Sequence, residues 1–211
     1  VNKAVLAPSA YGNKHRIVGT ANKTFSYGDG KHATTFSLFF EYAKGGRFSY
    51  TYSGDINGDG SSLNDLIYIP TSAEINGMNF SGTTTEQSSQ RAALESFISQ
   101  DEYLKENRGK YAEKYALLSP WYSRYDLRIL QDYKLGNGNT IQLSLDILNL
   151  GNFISSNWGV RQVPTNSQPI GVSVAGDTPT YSFDPNLRST FTNDASLLSR
   201  WQMQFGLRYT F

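Results

Sequence analysis

The last twelve residues restrict the fold more than any other part of the chain. They run from Arg200 to Phe211, with an apolar or aromatic side chain at every odd position and a polar residue or glycine at every even one. A β-strand points successive side chains to opposite faces, so this segment has one apolar face and one wet face. Alternation in a soluble sandwich strand usually lasts about four to eight residues. A longer run in unbroken register, closing on an aromatic, fits a strand that crosses a bilayer in about 9–11 residues. Trp201, Met203, Phe205, Leu207, Tyr209 and Phe211 are therefore expected to face lipid, with Phe211 as the terminal aromatic of a barrel. Arg200 and Arg208 are expected to face a lumen.

The same period recurs upstream. Ile141, Leu143, Leu145 and Ile147 alternate with Gln142, Ser144 and Asp146. Between 121 and 135 the odd positions carry Trp121, Tyr125, Leu127, Ile129, Tyr133 and Leu135, and the even ones carry Arg124, Asp126, Arg128, Asp132 and Lys134. Such a charged row is costly in a dry core but suits a water-filled lumen. Arg124, Asp126, Arg128, Asp132 and Asp146 are accordingly expected to line one. Further strands are read at 47–53 (Phe48, Tyr50, Tyr52), at 32–42 (Phe36, Leu38, Phe40, Tyr42) and, most weakly, at 15–27, where Lys23 shares a face with Ile17, Phe25 and Tyr27. Glycine-rich turns at 28–31, 43–46 and 136–139 supply the positive φ that tight hairpins need. The competing reading is a soluble antiparallel sandwich, against which stand the strand length and the aromatics near strand ends.

Composition agrees with strands rather than helices as membrane elements. Aromatics make up 14% of the chain, while the longest apolar runs are four residues, as in Leu66-Ile67-Tyr68-Ile69; a spanning helix needs about 20. A net charge of +1 gives no pull toward nucleic acid. Cysteine is absent, so there is no disulfide framework. Val1-Asn2-Lys3 has neither the basic region nor the apolar core of a signal peptide, so a leader is expected either to have been cleaved or to belong to an N-terminal part outside this chain. The expected fold is all-β: about six consecutive antiparallel strands of a larger transmembrane barrel in a bacterial outer membrane, residues 1–211 being its C-terminal part. With Phe211 at the periplasmic end, the strands at 197–211, 121–135 and 32–42 run inward and the others outward. The turns at 43–46 and 136–139 are then periplasmic, and long loops at 54–120 and 151–196 face the exterior. Six strands are too few to close, since the smallest such barrels have about eight.

The 54–120 loop carries Asp55-Ile-Asn-Gly-Asp-Gly-Ser-Ser-Leu-Asn-Asp65, whose alternating oxygen donors and glycines match the opening of an EF-hand-like calcium loop. Asp55, Asn57, Asp59 and Asp65 are the candidate ligands, although the twelfth position, normally Glu, is Leu66. The alternative is a polar turn. Helices are expected after a capping box at Thr84-x-x-Gln87, with Leu94, Phe97 and Ile98 as the apolar stripe, and from Glu102 to Arg108. In 151–196 the pieces 158–163 and 179–183 are expected to pair as a hairpin. Catalytic signals are missing: His15 and His32 lie near strand ends without HExxH or cysteine partners, so no enzyme is expected.

Three segments together resemble TonB-dependent outer-membrane receptors of the Oar-like type, found in Bacteroidetes and myxobacteria. They are Tyr50-Thr-Tyr-Ser-Gly-Asp-Ile-Asn-Gly-Asp-Gly60 with Asn64-Asp-Leu-Ile-Tyr-Ile-Pro70, Asp146-Ile-Leu-Asn-Leu-Gly-Asn152, and the ending Ser199–Phe211. In the second, Gly151 stands where the family usually has an aromatic. The resemblance covers roughly residues 14–211. It implies a 22-stranded barrel, a plug, a TonB-type energy-coupling partner and handling by the barrel-assembly machinery. The function it implies is active import of a large ligand that it does not identify. A passive porin, or a barrel anchoring a surface assembly with a lipoprotein over residues 54–120, are the alternatives.

Overall fold

The computed structural model describes residues 6–176 and 178–211. Val1-Asn2-Lys3, the start of the chain read above for a signal pattern, lies outside the described residues. The chain divides into two units. One holds residues 13–45, 120–162 and 193–211; the other holds 46–119 and 163–192 with the described part of 1–12.

The first unit is an antiparallel sheet of five strands: β1 (Arg16–Tyr27), β2 (His32–Lys44), β3 (Trp121–Lys134), β4 (Thr140–Leu148) and β5 (Gln202–Thr210). Each strand pairs with its neighbours in this order, which leaves β1 and β5 as edges. The sheet is open, and no closed barrel is present among the described residues. Two tight turns set the register. Gly28, Asp29 and Gly30 take φ of 60°, 55° and 76° to join β1 to β2, and Asn137 and Gly138 take 65° and 84° between β3 and β4. These are left-handed conformations that glycine and, less easily, Asn and Asp adopt.

One expected strand is absent from this sheet. The sequence reading puts a sixth strand at 47–53 and a hairpin at 43–46. Instead β2 runs to Lys44, opposite Trp121 of β3, and the Gly45 N–H donates to the Pro120 carbonyl at 3.1 Å. The chain then leaves the sheet. The 28–31 turn consequently lies at the same end as the 135–139 turn, with His32 opposite Tyr133 and the Lys134 N–H on the Lys31 carbonyl at 2.8 Å. Relative to the six-strand reading, β1 and β2 are reversed. The last strand is also shorter than 197–211: Leu197–Ser199 form a 3-10 turn before β5 begins.

Residues 47–53 alternate as expected, but toward a different environment. Phe48, Tyr50 and Tyr52 are buried in the core of the second unit, among Ile67, Ile69, Phe80, Leu94, Phe97, Ile98 and Ile170. The two segments expected as external loops thus share one hydrophobic core. Three helices contribute to it: α1 (Ser72–Gly77), α2 (Thr84–Gln100) and α3 (Glu102–Glu106). The capping box of α2 lies one residue earlier than expected, with Thr83 accepting from the Glu86 N–H and Glu86 accepting from that of Thr83. A hairpin of Ile170–Ala175 with Thr178–Phe183 covers α2, in place of the expected 158–163 partner. Tyr52 and Ser53 add to it in parallel, opposite Ile170 and Gly171. No helix among the described residues is long and apolar enough to cross a membrane.

Candidate functional site

The strand register assembles one largely apolar surface across five strands, interrupted by Lys23, Ser123 and the hydrogen-bonded Thr34 and Gln131. Ala21, Leu38, Leu127, Ile147 and Met203 form one cross-strand row; Phe36, Ile129, Leu145 and Phe205 form the next, whose β1 member is the charged Lys23. Phe205 and Leu207 expose 75% and 73% of their surface. A contiguous apolar patch with side chains this exposed marks a surface that meets a partner or a membrane.

Aromatic rings bound this face at both ends. At the turn end Tyr27, His32 and Tyr133 stand side by side, with ring centroids 5.6 and 5.4 Å apart, and Tyr209 stacks on Phe211 at 6.0 Å. The Asn139 amide donates to the Tyr209 hydroxyl at 2.8 Å. At the opposite end Tyr42 stacks on Trp121 at 4.6 Å, His15 on the same indole at 5.9 Å, and Phe153 meets Trp201 edge-on at 5.1 Å. Each ring keeps an apolar body against the sheet, and the Tyr, Trp and His rings add a polar tip suited to water.

The other face carries the charged residues singled out in the sequence, and it pairs most of them. Arg124 bonds Asp126 at 2.7 Å, Arg128 bonds Asp146, and Gln142 donates to Asp132 at 2.8 Å. Asp126 also accepts the Asn149 backbone N–H at 2.8 Å, which ties the end of β4 to β3. Arg200 and Arg208 make no side-chain hydrogen bond or ion pair among the described residues. Sequence reasoning missed a further group: Glu41 accepts from Arg16 at 2.7 Å and from the Tyr122 hydroxyl at 3.2 Å, and the Arg161 guanidinium lies 4.1 Å over the Tyr122 ring. Arg16 and Glu41 belong to strands that are opposite only once the register is known. Phe39 and Leu148 interrupt this wet face and, with Thr20, Asn22, Ser37, Asp126, Arg128 and Asp146, line a shallow depression of about 300 Å³.

The 55–65 loop brings its four candidate ligands together, but as acceptors for nitrogen. Asp55 takes the N–H groups of Gly58 at 2.7 Å and Gly60 at 2.8 Å, and Asp59 takes that of Ser61 at 2.9 Å. The Asn57 amide donates to Asp65 at 2.6 Å and to Asp59 at 3.3 Å, bridging the two carboxylates. Asp65 is fully buried and also accepts the Ile56 N–H at 3.2 Å. Among the described residues no three or more His, Cys, Asp or Glu side chains are arranged to hold a metal ion. The arrangement seen is a turn held by side-chain to backbone bonds.

A buried carboxylate that the sequence did not single out organises the second unit. Asp101 accepts from Tyr50 at 3.0 Å, from Thr190 at 2.5 Å and, at α3, from the Leu104 N–H at 2.9 Å. Burial, then the negative charge of Asp101, pushes the Tyr50 phenol well above the ordinary tyrosine range. Tyr52 is pushed up chiefly by burial. At the surface, burial works against ionising Glu95, but the Arg108 hydrogen bond and charge outweigh it and hold the carboxyl below its usual range.

No family model matches this chain, and no curated protein or solved structure matches it either.

Proposed function

We propose that this chain is an arc of a bacterial outer-membrane β-barrel belonging to a TonB-dependent transporter, with the apolar face toward lipid and the charged face toward the lumen. The observation that carries the proposal is the largely apolar face itself, which spans five strands, is backed by a charged face and is bounded by rings at both ends. From His32 to Tyr42 are ten residue steps. At about 3.3 Å per residue that is roughly 33 Å along the strand, and a tilt of about 35–45° reduces it to about 23–27 Å, the height of a barrel's apolar band. Trp201 to Phe211 spans the same ten steps, displaced two to four residues toward the turn end relative to Trp121 and Tyr133 on β3. Across two strand spacings of about 4.8 Å, that slant corresponds to a tilt of roughly 35–55°.

The edges of β1 and β5 leave unpaired backbone groups that hydrocarbon does not tolerate, so strands outside this sequence complete the barrel. The turns at 28–31 and 135–139 are short and belong on the periplasmic side; the excursions at 46–119 and 163–192 leave from the other end and belong outside. Import of a large ligand, a plug, a TonB-type coupling protein and the barrel-assembly machinery come from the sequence resemblance. In planar bilayers the intact protein should be electrically silent, and it should bind the periplasmic domain of a TonB-type protein. A steady open conductance without such binding would make it a passive porin. A second reading has one observation in its favour: the external excursions fold around a core of their own, as a docking module for a surface lipoprotein would.

A further inference from the structure

We propose that the corner joining β4 to β5 is a lipid-contacting foot, immersed at the boundary between headgroups and acyl chains; the inference rests on the membrane reading above. The corner is built from a one-turn helix, α4 (Leu150–Ile154), and the 3-10 turn Leu197–Ser199. Four large apolar side chains stand exposed on these two pieces: Phe153, Ile154 at 64%, Leu197 at 68% and Leu198 at 54%. Nothing in their own unit covers them. The connection to the rest of the apolar face is Trp201, which continues the outward row of β5 two residues before Met203 and takes Phe153 against its ring. The corner therefore extends the lipid-directed surface past the aromatic belt.

Hydrogen bonds from polar side chains hold its conformation. Asn152 accepts the Trp201 N–H at 3.2 Å and donates to the Trp158 carbonyl at 3.1 Å, and Ser199 accepts the Arg161 N–H at 3.1 Å. Asn149, left-handed at φ 53° and buried, donates to the Gly159 carbonyl at 2.9 Å. Backbone groups around the corner are thus bonded to the Asn149, Asn152 and Ser199 side chains, while its leucines, isoleucine and phenylalanine are offered outward. That division suits a surface segment at a membrane interface, where an apolar side enters the acyl boundary and the polar groups stay wet. It also explains why this connection is apolar where a water-facing loop would be polar: lipid removes the cost of exposing those side chains.

Because the sequence lacks cysteine, single nitroxide labels can be placed in the intact protein at Ile154→Cys, Leu198→Cys, Phe205→Cys and Gln204→Cys. After reconstitution in phosphatidylcholine vesicles, collision rates with oxygen, which partitions into lipid, and with a water-soluble nickel chelate report depth. The expected result is a deep, oxygen-dominated signal at 205, a chelate-dominated one at 204, and oxygen-dominated but shallow signals at 154 and 198. Chelate-dominated signals at 154 and 198, with 205 still oxygen-dominated, would overturn the foot and leave the barrel reading intact. Low collision rates with both reagents at 154 and 198 would also overturn it, because protein, such as a second copy, would then cover the corner. A chelate-dominated signal at 205 would sink the membrane reading on which the foot rests.

Discussion

Replacing Phe205 by Arg should destabilise the inserted protein far more than replacing its neighbour Gln204 by Arg. Phe205 exposes 75% of its surface on the apolar face, opposite Leu145, and lies four residues from Trp201 and six from Phe211. Four steps at about 3.3 Å, with a tilt near 40°, place it about 10 Å below the belt, close to the middle of a band about 25 Å tall. Arg at that depth costs about 2–4 kcal/mol, equivalent to roughly a 30- to 1,000-fold change in the folding equilibrium. Gln204 stands opposite Asp146 on the charged face, where an added guanidinium meets a carboxylate and water. Its effect should stay within about 0.5 kcal/mol. Urea unfolding of the intact protein from vesicles measures both, and heat-modified mobility on gels gives the folded fraction in cells. Equal destabilisation by the two substitutions would refute the assignment of faces.

In the second unit, Tyr50 carries a pKa raised above its unfolded value, so its stabilising contribution is complete below about pH 10 and is lost as the pH rises past it; Tyr50→Phe should flatten the alkaline limb of a stability–pH curve, and an unchanged limb would contradict this. Asp101→Ala leaves Tyr50, Thr190 and the Leu104 N–H without their acceptor and should lower stability by about 1–3 kcal/mol by urea titration. Gly159→Ala drives a Cβ into the Asn149 amide oxygen at a φ of +62°, so hydrogen exchange in 149–161 should speed up while the β1–β2 pair is unaffected. For the 55–65 turn, added calcium should leave the melting temperature unchanged; a rise that Asp65→Asn abolishes would establish an ion site there, since a bound ion at 100 times its Kd adds about 2.7 kcal/mol.

What could be read in the sequence was the period, and what could not was the partner. The expected spans of β1 to β4 match to within about two residues, and β5 starts five residues later than expected, because apolar and polar rows alternate over long stretches and end at turn residues. Phe48, Tyr50 and Tyr52 have the same period, yet they point into a protein core. An aromatic row directed at lipid and one directed at packed side chains look alike in one dimension. That ambiguity produced the sixth strand and the reversed β1 and β2. The charged row was legible as a row, whereas the bonds of Arg16 to Glu41 and of Arg128 to Asp146 depend on cross-strand register. Asp101 was invisible because its acceptor role is completed by Tyr50 and Thr190, which are distant in sequence.

The central claim, that the face containing Phe36, Ile129, Leu145 and Phe205 meets lipid as part of a larger barrel, is tested most directly by a density map of the intact protein in a lipid nanodisc. The account predicts lipid density against that face, with its boundaries at Tyr27 and Tyr133 on one side and Tyr42 and Trp121 on the other. It also predicts that the free edges of β1 and β5 are hydrogen-bonded to strands outside this sequence. Protein packed over the apolar face, or lipid against Arg124, Asp126 and Arg128, would contradict it.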